Sequence, residues 1–421
     1  MIDIRVIREN PQEIAKLVAS KGVDFDVEAL LKIDSDRKDS LTAVEKLKAG
    51  RNSASRAIGA AKKAGEDASE AMAAVRKIGE DISKLDEEVR EADKKMNDII
   101  LGLPNPPHAS VPVGTSESDN VVVRSWDETT PRDFELKEHK SFGEGLGMFD
   151  FERGAKISGS GFPVYTGLGA RFERALISFF LDTLTDFGFS EVIPPHMVTP
   201  ESMTGTGQLP KFADQLYYAP EDDLYLIPTA EVPITNMHAK EVLKEADLPV
   251  KYCGYSPCFR REAGSYGKDV RGFLRLHQFN KVEMVQFVKA EESYDVLETM
   301  VTHSESILKA LKLPYRVLEL CSADLGFGAA KCYDLEVWSD VEQKWLEVSS
   351  VSNFEDFQSR RMNIKSKIAG KNTFVHTLNG SGLATPRVLV ALLDHYQQED
   401  GSFEIPEVLR PYMRGLTKIN P

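Results

Sequence analysis

A basic and aromatic segment at residues 258–283 has the residue types of an anion-binding site. Its sequence is CFRREAGSYGKDVRGFLRLHQFNKVE, within a chain whose formal net charge is −14. Six cations are gathered there: Arg260, Arg261, Lys268, Arg271, Arg275 and Lys281. Apolar residues are interleaved with them, which distinguishes the segment from a solvated run of charge. Because arginine binds phosphate oxygens through paired hydrogen bonds, the segment predicts a phosphate site in an otherwise acidic protein.

The segment predicts two strands, YSPCFRRE and FLRLHQFNKVEMVQF, joined by a long loop that contains glycines. Alternate residues of a strand share a face, so Arg260 and Glu262 lie together on the first strand. The second strand places a larger set on one face: Arg275, Phe279, Lys281 and Glu283. Such a face offers arginines for phosphate, a ring for stacking on a base, and carboxylates for an ammonium or hydroxyl group.

Other signatures of nucleotide binding do not occur in the sequence. It contains neither a GxxxxGK[ST] phosphate loop nor a G-x-G-x-x-G turn that opens a βαβ unit. The glycine-rich run at 158–169 fits neither spacing, and residues 169–187 predict a helix with a broad apolar side. The predicted anion site therefore depends on arginine side chains.

The cysteines and the apolar segments exclude several classes of protein. Cys253, Cys258, Cys321 and Cys332 are spaced too widely for the paired ligands of structural zinc, so we expect reduced thiols and no zinc. The N-terminal MIDIRVIREN is charged and lacks the apolar core of a secretory signal. No apolar run approaches the roughly 20 residues that span a bilayer. We expect a cytoplasmic protein without membrane association.

The first hundred residues predict a helical hairpin. Apolar residues recur at alternating steps of four and three: Ala71, Val75, Ile78, Ile82, Leu85, Val89, Ala92, Met96 and Ile99. This spacing is typical of a coiled-coil seam. A looser apolar stripe precedes it, and the sequence GAAKKAGEDAS around Gly65 favours a turn between the two. We expect two antiparallel helices, each roughly 50 Å long at about 1.5 Å per residue.

The charge on this hairpin is uneven. No acidic residue occurs at 46–65, whereas the part nearest the turn carries basic residues: Arg51, Arg56, Lys62, Lys63, Arg76 and Lys77. Because clustered cations displace counterions from phosphates, this end favours binding of a polyanion. A coiled coil with ordinary surface charge is the alternative.

The length of 421 residues indicates two domains or three. Residues 103–120 contain four prolines and several small polar residues, which interrupt all periodicity. We predict a hairpin domain at 1–102, a linker at 103–125 and a mixed domain of strands and helices at 126–421.

The pattern FRxE…RxxxF within about 252–287 resembles motif 2 of the class II aminoacyl-tRNA synthetases. The helix and strand at about 169–198, which include Pro195, resemble motif 1, the dimer interface of that family. Residues at about 376–396, which include Arg387, resemble motif 3. Each motif alone is a weak signal, but the three in order are a specific one. The resemblance implies an α+β fold, in which an antiparallel β-sheet catalytic domain is flanked by helices and the coiled-coil hairpin forms an N-terminal arm.

Further segments resemble the seryl-tRNA synthetase family within this class: TGTGQLPKF at 204–212, PTAEVP at 228–233, KCYDLEVW at 331–338, EVSSVSN at 347–353 and NGSGLA at 379–384. With the hairpin and its RNSASRAIG, the resemblance extends over essentially the whole chain. Two positions depart from the family pattern. Pro386 stands where many members have glycine, and SGSGFP at 158–163 lacks the arginine of the commoner version.

The resemblance implies an ATP-dependent ligase that forms seryl-adenylate and transfers the seryl group to tRNA. The serine carboxylate itself attacks the α-phosphorus, so such an enzyme supplies placement and charge stabilisation. The family pattern assigns the ATP site to these residues: Arg260, Arg261, Glu262, Arg275, Leu276, Phe279, Glu347, Val348, Ser349, Ser350 and Arg387. Within it Arg260, Arg275 and Arg387 are the expected catalytic residues, and Glu347 and Ser350 the expected Mg²⁺ ligands.

The same resemblance assigns the serine site to Thr229, Ala230, Glu231, Arg260, Glu283 and Ser381. Carboxylates and hydroxyls suit the ammonium and side-chain hydroxyl groups of serine. A site of this kind rejects alanine by roughly 10⁴–10⁵, because its buried polar groups would lose their partners. Threonine would be refused by lack of space.

The implied partners are L-serine, serine tRNA and a second copy of the chain. The basic end of the arm is expected to grip the tRNA, and the glycine loop at 263–272 to meet its acceptor end. Whether selenocysteine tRNA is also a substrate is left open by the sequence. Two alternatives remain: a ligase that loads a carrier protein, which would lack the arm, and a non-catalytic RNA-binding relative, which would have lost site residues.

Overall fold

The computed structural model describes residues 1–128, 133–263 and 272–421. These residues form two compact units, one at Ile2–Pro104 and the other at Asn105–Pro421 together with Met1. None of the helices in the described ranges combines the length and the hydropathy needed to cross a bilayer.

The first unit consists of helices α1 Ile4–Glu9, α2 Pro11–Ala19, α3 Val27–Ala64 and α4 Ser69–Leu101. Helices α3 and α4 contact each other, and two ion pairs give their relative direction. Arg37 of α3 pairs with Asp93 of α4, and Lys48 pairs with Asp86 at 3.3 Å. Residues later in α3 thus meet residues earlier in α4, which confirms the predicted antiparallel hairpin.

The predicted seam of α4 is the less exposed side of that helix. Ile82 and Met96 are buried, and the other seam positions from Val75 to Ile99 are half-buried. Ala71 is exposed, and Ile100, next to the seam, is buried. Gly65 ends α3 with φ of +76°, and its N–H is bonded to the carbonyls of the last helical turn. Glycine adopts this left-handed conformation without a steric penalty, so it terminates the helix.

The second unit contains, in chain order, the strands β1 Val121–Trp126, β2 Phe149–Asp150, β3 Val164–Tyr165, β4 Ser190–Glu191, β5 Met197–Val198, β6 Tyr218–Ala219, β7 Leu224–Leu226, β8 Val242–Leu243, β9 Val250–Phe259, β10 Gln278–Val288, β11 Tyr315–Glu319, β12 Lys331–Ser339, β13 Lys344–Asn353, β14 Lys365–Ile368, β15 Lys371–Phe374, β16 His376–Ala384, β17 Phe403–Glu404 and β18 Lys418–Ile419. Its helices are α5 His139–Gly145, α6 Phe151–Ser158, α7 Gly167–Asp186, α8 Pro200–Thr206, α9 Glu231–Asn236, α10 Ser293–Ala310, α11 Phe357–Met362 and α12 Thr385–Tyr396.

Eight of these strands form one sheet in the order β1-β11-β12-β13-β16-β10-β9-β4. Its neighbours are antiparallel except β4 and β9, which run parallel. Helices α7, α10 and α12 contact the sheet. The predicted α+β architecture, an antiparallel sheet flanked by helices, is thereby confirmed.

Strand β1 lies partly inside the segment predicted as a linker at 103–125. It pairs with β11 from Val121 opposite Glu319 to Trp126 opposite Tyr315. The prolines and small residues that suggested the linker end before Val121, and the following valines favour a strand. The linker prediction was therefore wrong for residues 121–125.

The side chains of the central strand β10 point alternately to the two faces of the sheet and so contribute to two separate apolar clusters. Val282 and Met284 belong to the main core, whereas Val285 and Phe287 pack with Ala230 and other residues around α9. Lys281 and Glu283 share the face of Val285 and Phe287, because strand residues alternate. Beyond the apolar part of that face, the sheet is lined by polar side chains that form the site.

Candidate active site

A cavity of about 300 Å³ is lined by the hairpin of β9 and β10, by β13, by the end of β16 and by the start of α12. Its lining includes ten residues that the sequence assigned to ATP: Arg260, Glu262, Arg275, Leu276, Phe279, Glu347, Val348, Ser349, Ser350 and Arg387. We call it the ATP cavity. Residues far apart in the sequence thus meet because antiparallel pairing brings these strands together.

Arg261 is the exception among the predicted ATP residues. Its backbone N–H donates to the carbonyl of Gln215 at 2.9 Å, and its guanidinium lies 5.8 Å from the ring centre of Tyr217. The side chain does not line the cavity, although Arg260 and Glu262 on either side of it do. The structure therefore does not bring Arg261 together with the other residues predicted for ATP, and its assignment stays a prediction.

The three predicted catalytic arginines are held by neighbours within the cavity. Arg260 lies over the Phe279 ring, 5.1 Å from its centre, and donates from Nε to the Pro228 carbonyl at 3.3 Å. Arg275 is paired with Glu262 at 2.7 Å. Arg260 is thus placed before a ligand arrives, which reduces the ordering cost of binding, whereas Arg275 is engaged by Glu262.

Arg387 connects α12 to both sides of the cavity. Its Nη1 donates to the carbonyl of Glu347 at 2.9 Å and lies 3.6 Å from Oε2 of the same residue. Its Nε donates to the Leu274 carbonyl at 3.4 Å. Pro386 precedes it in the first turn of α12, where proline is compatible with helix geometry. The departure from glycine at 386 therefore leaves the helix start intact.

A β-bulge brings Glu347 and Ser350 to one face of β13. Glu336 of β12 pairs with Glu347, but Leu335 pairs with Ser349 and Asp334 with Ser350, so one residue of β13 is extra. Residues three apart would otherwise point to opposite faces. Both side chains line the ATP cavity, and a carboxylate and a hydroxyl oxygen suit a hard cation.

A second cavity, of about 410 Å³, adjoins the first. It is lined by five of the six residues predicted for serine: Thr229, Glu231, Arg260, Glu283 and Ser381. We call it the serine cavity. Ala230 does not line it, because its methyl group is buried in the apolar cluster around α9. The predicted contribution of Ala230 to serine binding stays a prediction.

The two cavities share four lining residues: Arg260, Lys281, Ser350 and Ser381. The shared set lies at the centre of the sheet, where Glu283 of β10 is opposite Ser381 of β16. A ligand in one cavity would therefore come close to a ligand in the other.

The carboxylates of the serine cavity are deeply buried. Oε2 of Glu283 accepts a hydrogen bond from Thr229 at 3.0 Å and lies 2.5 Å from Nζ of Lys281. Oε1 of Glu231 accepts from Nε2 of Gln358 at 2.6 Å. Burial, and then the charge of Glu283, raise the pKa of Glu231 to about 7. A bound ammonium group would relieve this repulsion, because opposite charge favours the ionised form.

Sequence reasoning missed several cavity residues. Lys281 was predicted on the correct strand face but was not assigned to the serine site. Because it lies two residues before Glu283 in a strand, its spacing could have indicated that the two share the site. Asn379, two residues before Ser381, also lines the serine cavity, and its Oδ1 is buried without a hydrogen-bond partner in the described residues. Asp334 and Glu336 line neither of these cavities but a third one that Glu347 also lines, and burial raises the pKa of both.

The segment SGSGFP accommodates His277 at the edge of the site. The carbonyl of Gly161 accepts from the His277 N–H at 3.0 Å, and the His277 ring is stacked on Phe162. Gly161 has φ of +81°, and a Cβ there would lie 2.5 Å from the His277 ring. Glycine at this position therefore permits a close approach that a side chain would prevent.

The loop predicted to meet the acceptor end of tRNA falls mainly at 264–271. These residues, which include Lys268 and Arg271, lie outside the described residues.

The comparisons with known proteins agree with this geometry. Residues 1–107 match the model of the seryl-tRNA synthetase N-terminal domain, and residues 215–396 match the tRNA synthetase class II core domain (G, H, P, S and T). A serine–tRNA ligase of Chlorobaculum parvum is 53% identical, with 98% of each chain covered. The chain belongs to the seryl-tRNA synthetase family.

Solved structures of this family have the same fold. The seryl-tRNA synthetase of Pyrococcus horikoshii, complexed with ATP, is 40% identical with a TM-score of 0.94, and 100% of both chains is covered. The cytoplasmic serine–tRNA ligase of Naegleria fowleri, in complex with AMP, is 29% identical with a TM-score of 0.89, covering 100% of this chain and 99% of the other.

The seryl-tRNA synthetase N-terminal domain contains the predicted basic end of the arm. Five of its cations are exposed: Arg56, Lys62, Lys63, Arg76 and Lys77. Arg51 is half-buried, and Arg76 lies 3.5 Å from Glu80 on the same helix. These positions make most of the cluster available to a ligand from solvent.

Proposed function

We propose that this chain is a serine–tRNA ligase, which activates L-serine with ATP and transfers the seryl group to serine tRNA. The observation that carries the proposal is the junction of the ATP cavity with the serine cavity at Arg260, Lys281, Ser350 and Ser381. Two substrates bound there would meet at one point, as adenylate formation requires.

In the first step a carboxylate oxygen of serine attacks the α-phosphorus, and pyrophosphate leaves. Arg260 lines both cavities, so its guanidinium can bridge the serine carboxylate and the α-phosphate and reduce their repulsion. Arg275 and Arg387 lie farther along the ATP cavity, where they would stabilise the charge of the leaving pyrophosphate. The chain thereby contributes orientation and positive charge, and no covalent nucleophile is needed.

Phe279 and Glu262 are positioned for adenosine. The Phe279 ring lines the ATP cavity, where an adenine base could stack on it. The Arg260 guanidinium already lies over this ring. Arg275 pairs with Glu262 in the described state. Release of Arg275 to a phosphate would leave the Glu262 carboxylate available to the adenine amino group.

Glu347 and Ser350 would hold Mg²⁺, which supplies positive charge to the phosphates when bound. The β-bulge of β13 supports this assignment, because it places their two oxygen ligands on one face of the ATP cavity.

Serine recognition rests on groups that need polar partners. Glu231 and Glu283 would receive the ammonium and hydroxyl groups of serine, while Thr229 and Ser381 complete the polar wall. The hydroxyl-free side chain of alanine would leave buried acceptors without donors, which is costly.

We further propose that the basic end of the arm binds serine tRNA by its phosphates, and that two chains form a homodimer through motif 1. The first rests on the exposed cations near Gly65. The second is supported by exposed apolar side chains in motif 1, where Ile193 is 82% and Met197 is 39% accessible. A cytoplasmic location, where tRNA is charged, agrees with the free state of all four cysteines.

The experiment that tests the proposed function is ATP–pyrophosphate exchange with each of the twenty amino acids, without tRNA. We expect exchange with serine alone. Exchange with another amino acid, or with none, would overturn the assignment. Charging of serine tRNA and of selenocysteine tRNA, measured separately, then identifies the acceptor and distinguishes this enzyme from a ligase that loads a carrier protein.

A further inference from the structure

Residues 272–276 bring the chain back into the ATP cavity, and we call them the return segment. Phe273, Leu274, Arg275 and Leu276 all line that cavity. Strand β10 begins only at Gln278, so the return segment lies outside the strand ladder. Other contacts must therefore fix the position of Arg275 relative to a bound phosphate.

The backbone of the return segment is bonded to a buried histidine. The N–H of Phe273 donates to Nε2 of His139 at 3.2 Å, and the His139 side chain is 0% accessible. Gly272 makes the contact possible, because its φ is +53° and a Cβ there would lie 2.0 Å from Nε2. The residue before the hydrogen bond thus has to be glycine for the ring to approach.

The environment of His139 favours the tautomer that accepts this hydrogen bond. Nδ1 lies 3.7 Å from Oε1 of Glu138 and 3.7 Å from Oε1 of Glu342. Two carboxylates favour a proton on Nδ1, which leaves the lone pair of Nε2 for the Phe273 N–H. Burial lowers the pKa of His139, although Glu138 opposes this and Lys140 adds to it.

The same three side chains could be taken for a metal centre, since their ligand atoms lie within 4.8 Å of one another. A metal on Nδ1 would require the proton to move to Nε2. Nε2 would then direct an N–H at the N–H of Phe273, and the hydrogen bond would be lost. The observed donor and acceptor pattern therefore fits an anchor for the backbone and conflicts with a metal ligand.

The backbone around His139 is held in place by neighbouring side chains. The buried residue Gln397, which follows α12, forms two hydrogen bonds with the backbone of Lys137. Its Oε1 accepts from the Lys137 N–H at 2.8 Å, and its Nε2 donates to the Lys137 carbonyl at 3.1 Å. Glu138 caps α5 by accepting from the Ser141 N–H at 3.2 Å. The anchor is thus connected to the end of the helix that carries Arg387.

The Phe273 side chain supplies a second attachment. Its ring meets Phe149 edge-on at 4.6 Å and Phe151 edge-on at 5.0 Å between ring centres. Apolar packing of this kind holds the ring in the core but does not fix the rotation of the backbone beside it. The hydrogen bond to His139 supplies that directional constraint.

We propose that His139 is a positioning residue of the ATP site: its Nε2 holds the return segment so that Arg275 and Leu276 stand where ATP requires them. The inference rests on the proposed function, since it assumes that ATP occupies this cavity. His139 touches neither substrate in this account and acts only through the backbone of residues 272–276.

The test compares His139→Leu with His139→Gln in serine-dependent ATP–pyrophosphate exchange. Leucine fills the space without an acceptor and leaves a buried N–H unpaired, so the KM for ATP should rise by about tenfold or more. The KM for serine should stay within about twofold, because the serine cavity does not contain the return segment. Glutamine keeps an acceptor at the end of its side chain, and should restore the KM for ATP to within about threefold.

His303→Leu is the matched control, because His303 is also buried but stacks on Phe187 away from the return segment. It should lower the unfolding temperature and leave the KM for ATP at the wild-type value. Hydrogen exchange of the Phe273 amide should accelerate in His139→Leu and remain slow in His139→Gln.

Two results would overturn the inference. One is a wild-type KM for ATP in His139→Leu. The other is that both His139 variants lose ATP binding, serine binding and thermal stability to the same extent. If the wild-type protein shows no serine-dependent exchange, the proposed function fails instead. In that case exchange of the Phe273 amide still decides whether His139 anchors the segment.

Discussion

Lys281 and Glu283 form a buried ion pair on one face of β10, with Nζ of the lysine 2.5 Å from Oε2 of the glutamate. Their side chains are 9% and 0% accessible, and Thr229 donates to the same carboxylate oxygen. Both residues line the serine cavity, and Lys281 also lines the ATP cavity. The ammonium of Lys281 therefore lies at the junction where the carboxylate of serine would meet the α-phosphate, with its charge balanced by Glu283.

Removing one member of this pair should destabilise the fold. Lys281→Met leaves Glu283 buried without its cation, which should lower the free energy of unfolding by about 3–5 kcal/mol. The double variant Lys281→Met/Glu283→Gln removes both charges and should recover most of that loss. Urea unfolding measures the stability, and serine-dependent exchange should stay low in both variants. A single variant as stable as the wild type would show that the two charges are not coupled in this way.

Arg260 and Arg261 provide a matched pair of neighbouring arginines. Arg260 lines both cavities, whereas Arg261 lies near the Tyr217 ring outside them. Arg260→Lys keeps a charge but loses the planar fork, and should slow exchange by about 10²–10⁵. Arg261→Lys should stay within about threefold of the wild type. Equal losses in the two variants would contradict the placement of Arg261.

The pH dependence of serine binding should follow the ionisation of Glu231. Burial and the charge of Glu283 raise the pKa of this carboxyl to about 7. Below pH 7 its carboxyl is mostly protonated, and the ammonium of serine can bind well only after that proton leaves. The KM for serine should therefore fall by roughly tenfold from pH 6 to pH 8 and level off above the pKa. Glu231→Gln should raise the KM and make it nearly independent of pH. A wild-type KM that rises over this range would exclude the assigned role.

Charge reversal on the arm should separate tRNA binding from activation. Lys62 and Lys63 lie in the basic end near Gly65. The double variant Lys62→Glu/Lys63→Glu should raise the KM for serine tRNA and leave pyrophosphate exchange unchanged. The logarithm of the binding constant should also depend less steeply on the logarithm of salt concentration, by about one unit of slope for each phosphate that the arm no longer binds. Lys94→Glu/Lys95→Glu, on exposed positions nearer the other end of α4, is the matched control. If both double variants weaken binding equally, recognition is not concentrated at the basic end.

Much of the fold could be predicted because the decisive patterns are local. The seam of α4 and the glycine at 65 depend on residues a few positions apart, so period and turn chemistry were sufficient to predict the hairpin. The strand face with Phe279, Lys281 and Glu283 followed from simple alternation. Both strands were predicted too long at the site, because β9 ends at Phe259, before Arg260 and Glu262, and β10 begins at Gln278, after Arg275. The end of the linker was misplaced, because the pairing of β1 with β11 depends on residues almost two hundred positions away.

The site was less predictable where local irregularity decides which way a side chain faces. The bulge in β13 places Glu347 and Ser350 on one face, and alternation alone would have separated them. Ala230 and Arg261 were assigned by resemblance to a contiguous motif, but one is buried in an apolar cluster and the other lies beside Tyr217. The contact between His139 and Phe273 spans 134 positions and carries no signal in either local sequence.

The most direct test of the central claim, that the two cavities form one adenylate site, is a crystal structure with a non-hydrolysable sulfamoyl analogue of seryl-adenylate. We predict adenine beside Phe279, the seryl ammonium and hydroxyl groups among Thr229, Glu231 and Glu283, and the Arg260 guanidinium at the linkage between them. An analogue bound with its seryl group outside the serine cavity, or without contact to Arg260, would contradict the account.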